Sequence, residues 1–482
     1  MMFRFAERHH QRWIAPGSRA LLILVVCLAP ILMDHSVAIA QESTITVCPS
    51  GCMYTSIQDG INHAAAGDTV SVGVGVYMET LQLRPGVIVV GADRDTTIVD
   101  AAQRTNVLRA LENTVGSSPV VRQLTLRNGR ASSGAGVLIQ AARLTLENVI
   151  IERNQASGIG GGIAVFNGGR VAISNSILRN NVAGTAGGAI FLDLQTVGAI
   201  TSSELTANQA QNGGGLYSVN ATATVSDTLF SANQATQHGG GAVFAQRSGG
   251  EVQFSTFENN VAVTGHGGAV VTQDASGTPL RNNVFRNNRT QAPTAIGGAV
   301  KVFSSATSPI TNNLFEGNQS VDGGGLVVQA ASISVTGNTF RANVATRYGG
   351  GMVANQGAQV IVSQNLFTGN RALLDAGALS IQYSSGGDIT RNTFTGNQAS
   401  MNNGNSGAIK VYNLSNPTIS QNLIENNQAK DGGGIYVELL SAPIMTIVPA
   451  KVAGVDEVIA CLPPNAHKAM IAGCHLSGAD RI

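Results

Sequence analysis

Apolar positions along this chain recur on a long period, not on the 3.6-residue period of a helical repeat. From about residue 130 short apolar strands follow small-residue turns. The last glycine before each strand is Gly136, Gly162, Gly188, Gly215, Gly241, Gly268, Gly298, Gly325, Gly351, Gly377, Gly407 and Gly434, spaced 26 to 30 residues apart. An asparagine row runs in phase with it: Asn154, Asn181, Asn208, Asn233, Asn260, Asn288, Asn318, Asn343, Asn370, Asn397 and Asn427. An apolar residue stands three positions before each asparagine. Seven of the chain's 14 phenylalanines fall on that row: Phe230, Phe257, Phe285, Phe315, Phe340, Phe367 and Phe394. The residue two after each glycine is also apolar (Leu138, Ala164, Ile190, Tyr217, Val243, Val270, Val300, Val327, Val353, Leu379, Ile409 and Tyr436). The next position admits Ser218, Lys301, Ser380 and Lys410. This is the in–out alternation of a strand, and it predicts that the first set faces inward.

A period near 27 residues with one strand pattern per repeat predicts a solenoid. The expected fold is all-β, a right-handed parallel β-helix of about a dozen regular coils stacked at ~4.8 Å. Stacking places like residues above like, so the phenylalanines form an internal column and the asparagines a ladder of side-chain amides. Residues 69–130 continue as less regular strands, and Tyr54 to Ala66 reads as an amphipathic helix with Ile57 and Ile61 on one face. Such a helix would cap the open solenoid end. The expected divisions are a targeting segment over 1–40, a cap over 41–68, the β-helix over 69–437 and a short α/β tail over 438–482.

Composition sharpens this picture. Charged residues are only 12% and glycines 58 of 482, which suits buried strands and tight turns. The net charge of +1 gives no field for nucleic acid, and no basic run is present. Arg4, Arg8, Arg12 and Arg19 precede the apolar run Leu21 to Met33, and Ala38-Ile39-Ala40 follows it. This pattern predicts a secretory signal cleaved before Gln41, with an uncleaved anchor as the alternative. No other segment is long and apolar enough to span a bilayer, so a secreted or cell-surface protein without an integral membrane segment is expected. Cys48 and Cys52 would form a local disulfide in an oxidising compartment, or remain two free thiols.

The opening stretch TITVCPSGCMYTSIQDGINHAAAGDTVSVGVGVYMETLQLRPGVIVVGADRDTTIVD resembles that of pectin-lyase-like right-handed β-helix proteins. The coils resemble the repeats of polymorphic outer-membrane protein adhesins, with GGAI at 187–190, GGAV at 267–270 and 297–300, and FSAN, FENN, FRNN, FEGN, FRAN and FTGN. The two resemblances imply the fold strongly and an activity weakly, because one fold hosts many functions. Residues 434–482 resemble an internal piece of histidinol dehydrogenase, through GIYV, VPAKVAGV and HLSGADRI. The piece lacks that family's zinc ligands and acid–base residues, so no dehydrogenase activity or nucleotide site is expected of it.

Candidate chemistry is sparse. Asp322, Asp375 and Asp431 share one turn position but lie two coils, or ~10 Å, apart, too far to share a proton. His238 and His266 occupy neighbouring turns, but two histidines without a third ligand make a weak metal site, and no cofactor is expected. The segment between each ladder asparagine and the next glycine varies most, and is longest at 288–298 and 397–407. It carries His238, His266, Arg289, Asp322, Arg347, Tyr348, Arg371, Asp375, Lys430 and Asp431. This edge is the expected binding site, with the outer strand row of Phe191, Phe244, Lys301 and Lys410 as the alternative. It is also where a buried rod must place its polar residues. The expected function is surface binding or adhesion towards glycans or cell-surface polymers. The alternative is a polysaccharide lyase, esterase or hydrolase.

Overall fold

The computed structural model describes residues 43–112 and 118–437. The targeting segment and the tail expected at 438–482 lie outside the described residues. Within them the chain winds into a parallel β-solenoid of about 14 turns. Three parallel sheets of 15, 14 and 14 strands run its length, and a fourth of 10 strands accompanies the turns between Arg130 and Ala372. The turns between Arg130 and Ala372 visit all four in a fixed order. The strand after the glycines (Leu326–Gln329, for example) lies in what is here called the groove sheet. The next (Ser332–Thr336) lies in the back sheet, and the next (Thr339–Arg341) in the Phe sheet. The last (Val344–Tyr348) lies in the turn sheet. The segment expected as a variable loop edge is strand in some turns, as at Gln155–Ile159 and Gln234–Gly239, whereas the long stretch 288–298 holds only the strand Arg289–Thr290 and 397–407 holds none.

The phenylalanine row is internal. Phe230 through Phe394 are 0% exposed, and successive rings stack with centroids 4.6 to 4.9 Å apart. The asparagine row forms a continuous ladder. Each Nδ2 donates to the Oδ1 of the next turn, as Asn318 does to Asn343 at 2.9 Å. The same Nδ2 donates to a backbone carbonyl of the preceding turn, Phe285 O for Asn318. Residues just before the ladder take left-handed backbone angles (Asn180, Asn259, Asn287, Gly317, Gly369), which is why asparagine and glycine dominate there. A second amide ladder, Asn283 to Asn313, Asn338, Asn365, Asn392 and Asn422, runs along the bend before the Phe sheet. It was not anticipated.

One expectation fails by a single residue. Strand pairing aligns Val137, Ile163, Ile190, Leu216, Val243, Val270, Val300, Leu326, Met352, Leu379, Ile409 and Ile435 as the inward row. Leu138, Ala164, Tyr217, Val327, Val353 and Tyr436 therefore face outward, and Ser218 faces in. The last glycine is not an equivalent marker in every coil. The small residue before the strand is glycine in some turns (Gly215, Gly325) and alanine in others (Ala189, Ala242), so counting from glycine slips the register. The glycine pair itself has two distinct duties. Gly267 adopts φ +60°, and a Cβ on Gly268 would lie 2.1 Å from the carbonyl oxygen of Gly298 in the next turn.

The first turn is closed by the helix Ile57–His63, shorter than the stretch 54–66 expected. Ser56 Oγ caps it by accepting from Asp59 N, and Glu79 accepts from the N–H groups of Ile57 and Gln58. Ile57 and Ile61 are fully buried against the first strands. Cys48 and Cys52 are disulfide-bonded, with Cα atoms 5.5 Å apart.

Candidate functional site

The corner between the turn sheet and the groove sheet is re-entrant. Between the turn sheet and the groove sheet, one residue of each turn bridges to its equivalents in the neighbouring turns and lies beside the outer face of the groove sheet. These wall residues align in one row: Ile159, Ala186, Asn212, Gly239, His266, Ile296, Asp322, Tyr348, Asp375, Asn405 and Asp431. The floor beside them is the outward row Ala164, Phe191, Tyr217, Phe244, Val271, Lys301, Val327, Val353, Ser380 and Lys410. Wall and floor pack on each other, Ala186 against Phe191 and Ile296 against Val327 and Val353. Floor residues on the outside of a solenoid are therefore buried, Phe191 to 7% exposure and Lys301 to 4%. Ten rungs of this groove extend over about 45 Å at the inter-strand spacing.

The groove changes character along its length. Its first part is an aromatic run, Phe166, Phe191, Tyr217 and Phe244, with ring centroids 5.1 to 5.9 Å apart. Tyr217 Oη donates to Gln246. In the middle is a cavity of about 520 Å³, lined by Tyr217, His238, Phe244, Gln246, His266 and Phe303 among others. His266 Nδ1 accepts from the backbone N–H of Ile296 at 3.1 Å, so the ring proton sits on Nε2. Burial, helped by the nearby Lys301 charge, lowers the His266 pKa to about 4. Burial likewise lowers the Lys301 ammonium to about 8, and its Nζ lies 4.5 Å from the Phe303 ring centroid.

Farther along, Asp322 is held by the Arg347 guanidinium, and that hydrogen bond raises the arginine's pKa. Asp375 accepts from Lys410 Nζ at 2.7 Å and from Asn405 N at 2.6 Å. Tyr348, Tyr383 and Tyr412 cluster with centroids about 6 Å apart, and Tyr412 bonds Gln382. Burial raises the phenol pKa of Tyr348 and Tyr412, so both stay neutral hydroxyls. Among the described residues four buried side-chain polar atoms lack a hydrogen-bond partner, and three of them, Gln329 Oε1, Asn355 Oδ1 and Ser380 Oγ, belong to outward positions of this sheet.

The edge residues singled out from sequence thus divide. His266, Asp322, Arg347, Tyr348 and Asp375 line or brace the groove, and His238 lies at its rim, while the row Phe191, Phe244, Lys301 and Lys410 is its floor. The two sequence alternatives are two sides of one feature. Arg289, Arg371, Lys430 and Asp431 are exposed; Arg289 and Arg371 begin turn-sheet strands. Asp322 and Asp375 are separated by the Tyr348 rung, and Asp375 and Asp431 by Asn405. His238 and His266 are offset by one residue, since Gly239 is what pairs with His266. No group of three metal-binding side chains occurs among the described residues. The sequence reading missed the amide row that closes the floor strands, Gln246, Gln273, Gln329, Asn355 and Gln382. Its signal was the glutamine or asparagine ending VFAQ, VVTQ, LVVQ and MVAN.

The depressed His266 pKa carries a sign. Between pH 6.5 and about 4 the unfolded chain takes up a proton that folded His266 refuses, so stability falls as pH drops through that window. Allowing for its partial exposure, the effect is about 1–2 kcal/mol. His266→Gln is expected to flatten the acid side of the stability profile by that amount, as read by denaturant titration at pH 7 and pH 4.5.

Comparison with known proteins agrees with this architecture. The model for a right handed beta helix region matches residues 161–340, 236–398 and 332–448. The histidinol dehydrogenase model matches residues 431–482, so the two overlap over residues 431–448. That stretch is similar to histidinol dehydrogenase of Thermus thermophilus, 50% identical over 54 residues, which is 10% of this chain and only 13% of that enzyme's length. Among solved structures, an α-1,3-glucanase catalytic unit from Streptomyces thermodiastaticus aligns at TM-score 0.39 and 12% identity, over 79% of this chain and 66% of that one. A mannuronan C-5 epimerase A-module from Azotobacter vinelandii aligns at TM-score 0.32 and 17% identity, over 80% and 94%. With the family model covering more than half its length, the chain belongs to the right-handed parallel β-helix family.

Proposed function

We propose that this is an exported glycan-binding rod, adhesive or structural in role, whose groove holds an extended polysaccharide. The observation that carries the reading is the set of buried, unpartnered polar atoms on the groove sheet, Gln329 Oε1, Asn355 Oδ1 and Ser380 Oγ. A polar atom shut away from water without a partner costs about 1–3 kcal/mol, and ligand hydroxyls lying in the groove offset that cost. Tyr217 and Phe244 in the cavity lining, and half-buried Tyr348 farther along, supply apolar contact area for a sugar ring.

A polysaccharide array probed with the mature protein is expected to find at least one ligand. Tyr217→Ala should weaken that binding at least tenfold. Ser380→Ala should weaken it several-fold while leaving thermal stability unchanged or slightly raised, because the lost hydroxyl has no protein partner. Binding indifferent to both substitutions would move the site elsewhere.

An enzymatic reading of the same groove draws on the shifted His266 and Lys301, since displaced titrations gather at reactive sites. Against it, the groove carboxylates Asp322 and Asp375 each already hold a cation. Prolonged incubation with the bound polysaccharide is expected to release no new reducing or unsaturated ends.

A further inference from the structure

Two lysines stand on the groove floor in the same outward row, and the wall treats them differently. Lys410 meets Asp375, the wall residue one rung before it, and the two form an ion pair at 2.7 Å. The wall residue one rung before Lys301 is His266. The two wall positions are built alike. Asp375 accepts from the N–H of the next wall residue, Asn405, and His266 accepts from the N–H of the next wall residue, Ile296. Asp322 does the same with Tyr348 N. At Lys301 the wall thus keeps its backbone contact but supplies no charge. Lys301 as a whole residue is 4% exposed, and among the described residues no carboxylate lies within ion-pair distance of its ammonium. A buried cation without an anion is costly, and two neighbours of Lys301, His266 and Phe303, line a cavity of about 520 Å³.

Resting on the glycan-groove reading, we propose that Lys301, with neutral His266 beside it, binds one acidic substituent, a carboxylate or sulfate half-ester, on a largely neutral polysaccharide. The remaining groove argues for sparse charge. Arg347 and Lys410 are each already paired, with Asp322 and Asp375 respectively. A chain with a carboxylate on every sugar would set its other charges against those two aspartates. The facing titratable groups are His266 on the wall and His238 at the rim. With His266 at about 4 and Lys301 at about 8, the site holds one positive charge near neutrality and loses it above about pH 8.

The test measures binding of soluble neutral polysaccharides, each plain, sparsely carboxymethylated and sparsely sulfated, alongside polygalacturonate. The wild-type chain is expected to prefer a substituted form over its plain parent about tenfold or more, as a charge-assisted hydrogen bond warrants. Which substituted form wins identifies the acid. Lys301→Met should erase the preference of the substituted form over its plain parent and raise thermal stability. His266→Asp, which places a carboxylate where Asp375 stands beside Lys410, should erase it through an internal pair. Equal affinity for plain and substituted forms, a preference that survives both substitutions, or tighter binding of polygalacturonate would each overturn the proposal and leave the groove reading standing. Binding of none of these polymers would overturn both.

Discussion

Replacing Phe315 with alanine is expected to destabilise the rod by about 3–5 kcal/mol. The ring is fully buried, and its centroid lies 4.9 Å from that of Phe285 and 4.7 Å from that of Phe340. Neighbouring rungs cannot collapse into the gap, because four hydrogen-bonded sheets hold their spacing. The cavity therefore stays open, at the upper end of what such truncations cost. Each turn contacts only its neighbours, so the loss should be local. Hydrogen exchange at amides within two rungs of Phe315 should accelerate strongly, while amides near the helix Ile57–His63 change little. Denaturant titration showing a loss under 1 kcal/mol would contradict an internal stack.

The second large effect is expected at Asp375. Asp375→Asn keeps an oxygen for the Asn405 amide and removes only the charge, leaving Lys410 buried without its partner. Side-chain exposures of 8% for Lys410 and 12% for Asp375 mean that solvent cannot replace what is lost. Breaking such a pair from one side costs about 3–5 kcal/mol. Adding Lys410→Met should recover most of this, because the double variant buries no charge. The two single variants and the double form a cycle whose coupling should exceed about 2 kcal/mol. Additive losses would mean that water reaches the pair.

What could be read from sequence was whatever repeated as one residue type. The Phe230 to Phe394 column and the Asn154 to Asn427 ladder stand out because every rung needs the same shape or the same amide at that place. The glycine marker misled because Gly215 and Ala242 satisfy the same small inward position, so residue identity there does not mark register. The second amide ladder went unseen although Asn313 and Asn338 stand two residues before Phe315 and Phe340. The groove was hidden for a different reason. Its partners come from adjacent turns, Asp375 and Lys410 being 35 residues apart, and their meeting depends on which way the corner between two sheets bends. Side-chain alternation along a strand says which residues point outward. It does not say that an outward face is covered again by its own neighbour.

The ladder bonds carry a further consequence. They join residues 25 to 33 positions apart wherever they occur along the rod. Loop closure between successive rungs is therefore equally easy at the first turn and at the last. A chain delivered from its N-terminus can lay down one rung at a time on the template of the rung before it, beginning from the helix Ile57–His63. Assembly time then grows in proportion to the number of rungs. A chain halted midway is a shorter finished rod, with a single open edge waiting for the next strand.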